Sequence, residues 1–166
     1  MNKPSIQPIH ADDYGAVHDI YLEAIEAGWQ TADLLPMALE ERLEWYKNHS
    51  QEPYLIYTLK IGEDIIGYCY ISPWRGGRLA LRSCAEVSFY LRQDQKRKGY
   101  GSLMVEFILD EANRLGFESL IAILISENEN SIYLFLKYGF HEWGRLPGVV
   151  QFADGEADHV ILGRPI

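Results

Sequence analysis

The sequence is poor in cysteine. It holds two, Cys69 and Cys84, and neither sits in a metal-spacing motif. A reducing, cytoplasmic compartment is the expectation. Five histidines, His10, His18, His49, His141 and His159, show no ligand spacing, so no metal is expected. Long apolar runs are missing too. None reaches the roughly 18 residues that a spanning helix needs, and MNKPSIQPIHADD at the start has no apolar signal region, so no membrane attachment is expected. Positive charge is scarce, with 15 Lys and Arg against 24 Asp and Glu and a formal net charge of −9. A nucleic-acid binder wants a basic face, so that class of partner is disfavoured. There is no repeat and no low-complexity segment.

What is there fits one globular domain over residues 1–166, long enough to bury its own core. Hydrophobic residues make up 48% and charged residues 23%, ordinary values for such a domain.

The pattern along the chain alternates strands and helices. Ile6 to Ile9 reads as a strand. Asp12 and Asp13 stand at a helix start, where acidic groups are favoured, and Val17, Ile20, Tyr21, Ala24 and Ile25 recur at helical spacing up to Gly28. Trp29 to Pro36 is a loop, and Ala38 to Asn48 a second helix. Tyr54 to Leu59 and Asp64 to Ser72 are strands joined by a turn, and Trp74 to Arg78 is a loop. Leu120 to Ile125 is a continuous apolar run, as in a strand buried on both faces. Ser131 to Tyr138 is a short helix. Phe140 to Trp143, Val149 to Phe152 and Val160 to Leu162 read as closing strands, with a hairpin turn at Asp154-Gly155.

The chain is organised around Glu86 to Gly101. In the strand Ala85 to Leu91, Glu86, Ser88 and Tyr90 share one face, and Val87, Phe89 and Leu91 the other, apolar one. A polar loop and the basic turn Lys96-Arg97-Lys98-Gly99-Tyr100-Gly101 then open into a helix, 102–115, with Leu103, Phe107, Ala112 and Leu115 at near-helical spacing. A glycine turn at a helix N-terminus suits phosphate, because free N–H groups and the helix dipole both favour an anion there. It is neither of two well-known phosphate motifs. No G-x-x-x-x-G-K-[ST] occurs, and Met104 stands where the third glycine of G-x-G-x-x-G would be.

Lys96 to Gly101 resembles the acetyl-CoA-binding motif of the GNAT N-acetyltransferases, Q/R-x-x-G-x-G/A, with lysine in the first position. Asn128, Ser131 and Tyr138-Gly139-Phe140 resemble a second family segment, N-x-x-A/S-x(7)-G-F/Y, in the family order and spacing. The likeness runs from Ile6 to about Leu162. It is strongest to the phosphinothricin and methionine sulfone acetyltransferase branch, through Ser72-Pro73-Trp74-Arg75 and Glu86-x-x-x-Tyr90.

The resemblance implies an α/β (α+β) GNAT fold, a mixed central sheet of about six to seven strands flanked by about four helices. It implies acetyl-CoA as co-substrate and a small-molecule amine as acceptor, with an amino-acid analogue such as phosphinothricin or methionine sulfone as one candidate. Backbone at Phe89, Tyr90 and Leu91 would pair with the pantetheine arm. Arg97, Lys98, Gly99, Tyr100, Gly101 and Ser102 would hold the pyrophosphate, with Asn128 and Ser131 beside the arm. Trp29, Gln30, Thr31, Trp74 and Arg75 are implied on the acceptor side. Arg75, Arg78 or Arg82 could hold a carboxylate through the forked guanidinium. Glu86 matches the family's strand glutamate and is the implied general base. Removing a proton from an amine of pKa near 10 at pH 7 costs about 4 kcal/mol, and a base supplies that step.

Some positions depart from the pattern. Phe135 stands where many family members have a tyrosine acid, and Leu81, Cys84 and Asp158-His159 differ from the branch. A protein or peptide N-terminal acetyltransferase stays open as an alternative, as does a non-catalytic CoA-binding regulatory module. Phe135 favours the module and Glu86 opposes it. The branch also implies a homodimer.

Overall fold

Strand β5 (Cys84–Leu91) is central in the sheet, whose strand order is β1 (Pro4–Pro8), β3 (Tyr54–Ile61), β4 (Asp64–Pro73), β5, β6 (Ser119–Ile125), β8 (Gly155–Pro165) and β7 (His141–Phe152). The computed structural model describes residues 3–166. Met1 and Asn2, included in the expected domain, lie outside the described residues. β5 runs antiparallel to β4 (Asp64–Pro73), on rungs from Gly67 opposite Leu91 to Pro73 opposite Ala85. Its other neighbour, β6 (Ser119–Ile125), is parallel to it, as the apolar run at 120–125 suggests. β4 in turn pairs with β3 (Tyr54–Ile61), and β3 with β1 (Pro4–Pro8), both antiparallel.

Period-two alternation in β5 decides which helices lie where. Ala85, Val87 and Leu91 are buried beneath α3 (Tyr100–Arg114), which contributes Met104, Val105, Ile108 and Ala112 to the same core. The expected stripe of Leu103, Phe107, Ala112 and Leu115 is thus displaced. Only Ala112 is fully buried, and the other three pack at the margin. This helix is apolar around much of its circumference, so spacing alone leaves the inward face open until the sheet chooses it. α4 (Glu129–Lys137) adds Phe135 to that core. The opposite face of the sheet is covered by α1 (Tyr14–Ala27) and α2 (Leu39–Asn48), through Val17, Ile20, Tyr21 and Tyr46.

The α1 side is fixed by a shielded ion pair. Lys60 Nζ lies 2.9 Å from Asp13 Oδ1, and Asp13 Oδ2 accepts the His10 N–H at 3.0 Å. One carboxylate thereby ties the start of α1 to β3.

Three short closing strands were expected, and two long ones are found. β7 (His141–Phe152) runs through Gly144, Pro147 and Gly148 as one edge strand, with register shifts at 142/144 and 146/150. β8 (Gly155–Pro165) lies between it and β6. Bulges absorb the residues that read as strand ends. Among the described residues the sheet has eight strands. The one absent from the sequence reading is β2 (Ser50–Gln51), a two-residue segment on β3. Among the described residues no helix is long and apolar enough to cross a membrane.

Candidate active site

β5 and β6 share only three rungs, Cys84–Glu86 against Ser119–Ile121. Beyond them β5 stays with β4 and β6 stays with β8, and the two parallel strands part. A narrow groove of about 30 Å³ lies between Val87–Tyr90 and Ala122–Leu124, with Phe135 also in its wall. It shares Phe89, Tyr90, Asn128 and Ser131 with a larger cleft of about 610 Å³. Backbone N–H and C=O groups on the parted edge of β5 have no strand partner. An extended ligand carrying amides can pair with such an edge as an added strand would.

Two helix N-termini open onto the larger cleft, α3 through Gly99, Gly101 and Ser102 and α4 through Asn128, Asn130 and Ser131. The first intrahelical bond of α3 runs from the Leu103 N–H to the Gly99 carbonyl. The N–H groups of Tyr100, Gly101 and Ser102 precede it and are free for an anion. Gly99 holds φ +87°, open to glycine without strain, and Arg97 adopts φ +63°. This alternation of hand turns successive N–H groups into one concavity. Lys96, Arg97 and Lys137 line the cleft as well. Burial lowers the Lys96 pKa. The cradle suits a diphosphate and the parted strand edge suits an amide-bearing arm, so the residues present fit acetyl-CoA.

On the α1/α2 face of the sheet, a cage of aromatic rings surrounds Arg42. Its guanidinium lies 4.0 Å from the Tyr21 ring centroid, 4.8 Å from Trp45 and 5.7 Å from Tyr46. Tyr68, Tyr70 and Tyr90 stack beside these rings. Burial pushes the phenols of Tyr46 and Tyr70 up to about 12 and holds those of Tyr68 and Tyr90 well above the usual phenol range. All therefore remain neutral at physiological pH, and the buried Tyr68 hydroxyl has no hydrogen-bond partner among the described residues. Glu86, on the same face as Ser88 and Tyr90, is half-buried, and desolvation raises its pKa. A carboxylate so shifted is a stronger base near neutrality than an exposed one.

The expected residues divide between these features. Phe89, Tyr90, Leu91, Arg97, Gly99, Gly101, Ser102, Asn128, Ser131 and Trp29 all line the cleft. Lys98 and Tyr100 do not. Lys98 Nζ donates to Gln95 Oε1 at 3.1 Å, and the Tyr100 ring packs on the core, so at these two positions only backbone is offered. Trp29 rests on Phe152, 4.2 Å between ring centroids, at the β7–β8 end of the cleft. Thr31 Oγ1 bonds the Tyr21 hydroxyl at 2.9 Å and so belongs to the aromatic cage. Trp74 and Arg75 lie after Pro73, which opposes Ala85 at the far end of β5 from the groove. Neither lines the cleft. Phe135 is 2% exposed and packs between Phe89 and Phe140. Tyr138 gives its hydroxyl to Glu106, whereas Tyr133, 73% exposed, lines the cleft.

The sequence reading missed Arg42 and the tyrosines of β4. The alternation Tyr68, Tyr70, Ser72 opposite Tyr90, Ser88, Glu86 was the available signal. Arg42 carries none, because its partners come from α1 and α2 together.

A parted parallel strand pair beneath a glycine-started helix, with a half-buried glutamate alongside, is the architecture of an acyl-CoA-dependent amine transferase. The acetyltransferase (GNAT) family model matches residues 14–140, and the chain belongs to that family. Among relatives, YwnH of Bacillus subtilis, provisionally named a phosphinothricin acetyltransferase, is 35% identical over 93% of this chain and 94% of its own. The L-methionine sulfoximine/L-methionine sulfone acetyltransferase of Pseudomonas aeruginosa is 28% identical over 89% and 86%. In fold, the chain is similar to a phosphinothricin acetyltransferase from Sinorhizobium meliloti solved with acetyl-CoA, at a TM-score of 0.92, 24% identity, and 98% and 88% coverage. The protein is an acetyl-CoA-dependent N-acetyltransferase.

Proposed function

We propose that the protein acetylates the amino group of a small amino-acid analogue, with phosphinothricin and methionine sulfone as first candidates. Acetyl-CoA supplies the activated acetyl group. The parted edge of β5 at Phe89–Leu91 holds its arm, helped by Asn128 and Ser131. The N-terminus of α3 with Arg97 holds the diphosphate, through side chain at Arg97 and backbone at Lys98–Ser102. Glu86 takes the proton from the acceptor ammonium, directly or through one water. Thr31, Trp74 and Arg75 form the acceptor side, and Trp29 closes the cleft against β7–β8.

The observation that carries this reading is the position of Glu86. It occupies the last rung before β5 and β6 part, and burial holds its pKa up. The names of the relatives direct the choice of acceptor. A positioned donor is not required on the thiolate, whose conjugate pKa near 8.5 makes it a fair leaving group, and this suits the buried Phe135. Residues 1–166 act as a single domain in this reading, in a reducing cytoplasm. Two copies pair through the β7 edge, where Trp143, Leu146 and Val149 are about half exposed.

The test is thiol release from acetyl-CoA against amino acids, phosphinothricin, methionine sulfone, polyamines and short peptides. Turnover confined to amino-acid analogues supports the reading. Turnover on peptides alone, or binding without turnover, overturns it. Light scattering at several concentrations tests the dimer.

A further inference from the structure

His49 sits where α2 hands over to β2, and its backbone is held on both sides. Its N–H reaches the Trp45 and Tyr46 carbonyls at 3.1 and 3.2 Å, and its carbonyl accepts the Ile56 N–H at 2.9 Å. The ring is fixed as well. Nδ1 lies 2.9 Å from the Trp45 carbonyl oxygen, Nε2 lies 3.2 Å from Ser72 Oγ, and the Trp45 indole stacks on it at 4.1 Å. A carbonyl only accepts, so the neutral ring carries its proton on Nδ1. Nε2 is then an acceptor, and the Ser72 hydroxyl donates to it.

Ser72 opposes Glu86 on an antiparallel rung. Residues so paired share a face, with Cβ atoms about 4.5–5.5 Å apart. Glu86, Ser72 and His49 therefore form a row from the middle of the sheet to the end of α2. Among the described residues the other titratable groups facing His49 are Arg42 from α2 and Tyr70 from β4, of which Arg42 is charged at neutral pH.

We propose that Ser72 and His49 carry away the proton that Glu86 takes from the acceptor ammonium. An N–H bond of the acceptor breaks and an O–H bond forms on Glu86. That proton passes, directly or through one water, to Ser72 Oγ as the Ser72 hydroxyl proton passes to His49 Nε2. The imidazolium, partly exposed, then loses its Nε2 proton to water while Nδ1 keeps its own on the Trp45 carbonyl, and the Ser72 hydroxyl turns back to Nε2. Glu86 is left ionised for the next cycle. Burial raises the affinity of Glu86 for a proton and lowers that of His49, which eases uptake at Glu86 and release from His49 to water and brings the two affinities closer, at the expense of the drop between them.

The inference rests on Glu86 being the base, so Glu86→Gln is measured beside the relay variants. kcat is followed from pH 6 to 9 in dilute buffer, with and without added imidazole, for wild type, Ser72→Ala, Ser72→Thr, His49→Gln and His49→Ala. Ser72→Ala and His49→Gln are expected to lose about tenfold to a hundredfold in kcat, with KM for acetyl-CoA unchanged. Ser72→Thr, which keeps the hydroxyl, recovers a large part of the rate that Ser72→Ala loses, and imidazole restores His49→Ala in proportion to its concentration. Wild-type kcat in both Ser72→Ala and His49→Gln overturns the relay. So does a loss that is equal at every pH and unmoved by imidazole, which marks a packing role. If His49 variants do not fold, the Ser72→Ala and Ser72→Thr pair decides alone. Wild-type kcat in Glu86→Gln removes the base and the relay together, whereas loss there with none at Ser72 and His49 removes the relay only.

Discussion

Gly101 and Leu134 are packed so closely that a Cβ on the glycine would stand 2.9 Å from Leu134 Cδ2. The contact joins the first turn of α3 to α4, whose N-termini both open onto the cleft. The second glycine of the motif thus serves helix packing, while the first, Gly99, serves the backbone turn. Gly101→Val is expected to destabilise the fold by about 1–3 kcal/mol, as overpacking does, and to weaken acetyl-CoA. Gly101→Ala has a smaller effect, because the Leu134 side chain can rotate away. Urea unfolding and acetyl-CoA titration of both variants measure this. Equal stability of Gly101→Val and wild type would contradict the packing argument.

Arg97 and Lys98 are adjacent, but only Arg97 lines the cleft. A charged hydrogen bond to phosphate contributes about 1.5–3 kcal/mol, so Arg97→Ala is expected to raise KM for acetyl-CoA by about ten- to hundredfold, with kcat little changed. Lys98→Ala changes KM by less than about threefold, since its ammonium is turned to Gln95 and acts only at a distance through screened charge. Steady-state kinetics at two salt concentrations separate the two. Equal losses at both positions would mean that the turn binds by net charge rather than by placement.

These two neighbours also mark what the sequence makes legible. The alternation in β5, the helix after Gly101 and the parallel β6 are local patterns, read within a few residues, and they carry the cleft. That Lys96 and Arg97 but not Lys98 line the cleft follows from the positive φ of Arg97, a backbone turn that no residue identity announces. The Arg42 cage and the His49–Ser72 contact join α1, α2 and β4 across gaps of tens of residues, so they appear only once the helices are laid on the sheet. The closing strands were misread for the opposite reason. Gly144, Pro147 and Gly148 are strong local breakers, and pairing with β8 overrides them.

Lys60 and Asp13 form the shielded ion pair that fixes the start of α1, with side chains 14% and 10% exposed. Removing one partner leaves a poorly hydrated charge. Lys60→Met is expected to cost about 1–3 kcal/mol while leaving kcat and both KM values near wild type, because the pair is remote from the cleft. Denaturant unfolding beside kinetics tests this. A kinetic defect without a stability loss would show that α1 is positioned for catalysis through this pair.

Glu86 places activity and stability in opposition. Burial raises its pKa, so between its unfolded value, about 4.3, and its higher folded value the native protein binds more protons than the unfolded chain. The stabilisation this gives is complete below the unfolded value. It is lost as pH rises through the folded value and remains lost above it. Glutamine carries no charge to desolvate. The melting temperature of Glu86→Gln should therefore exceed that of wild type at neutral pH, and the gap should close as pH falls toward 4. His49 and His159, whose pKa values are lowered by burial, act in the other direction, weakening the fold as pH drops below about 6.5. Both are present in the two proteins and cancel in the difference. The same substitution should lower kcat by about 10²–10⁴, and the acid limb of the wild-type profile should lie above the ordinary carboxylate range. Thermal melts from pH 4 to 8, taken with pH–rate profiles, read both effects on one pair of proteins. A gap independent of pH, or a less stable Glu86→Gln at neutrality, would mean that the carboxylate is satisfied where it sits and is not held there at a cost for proton transfer.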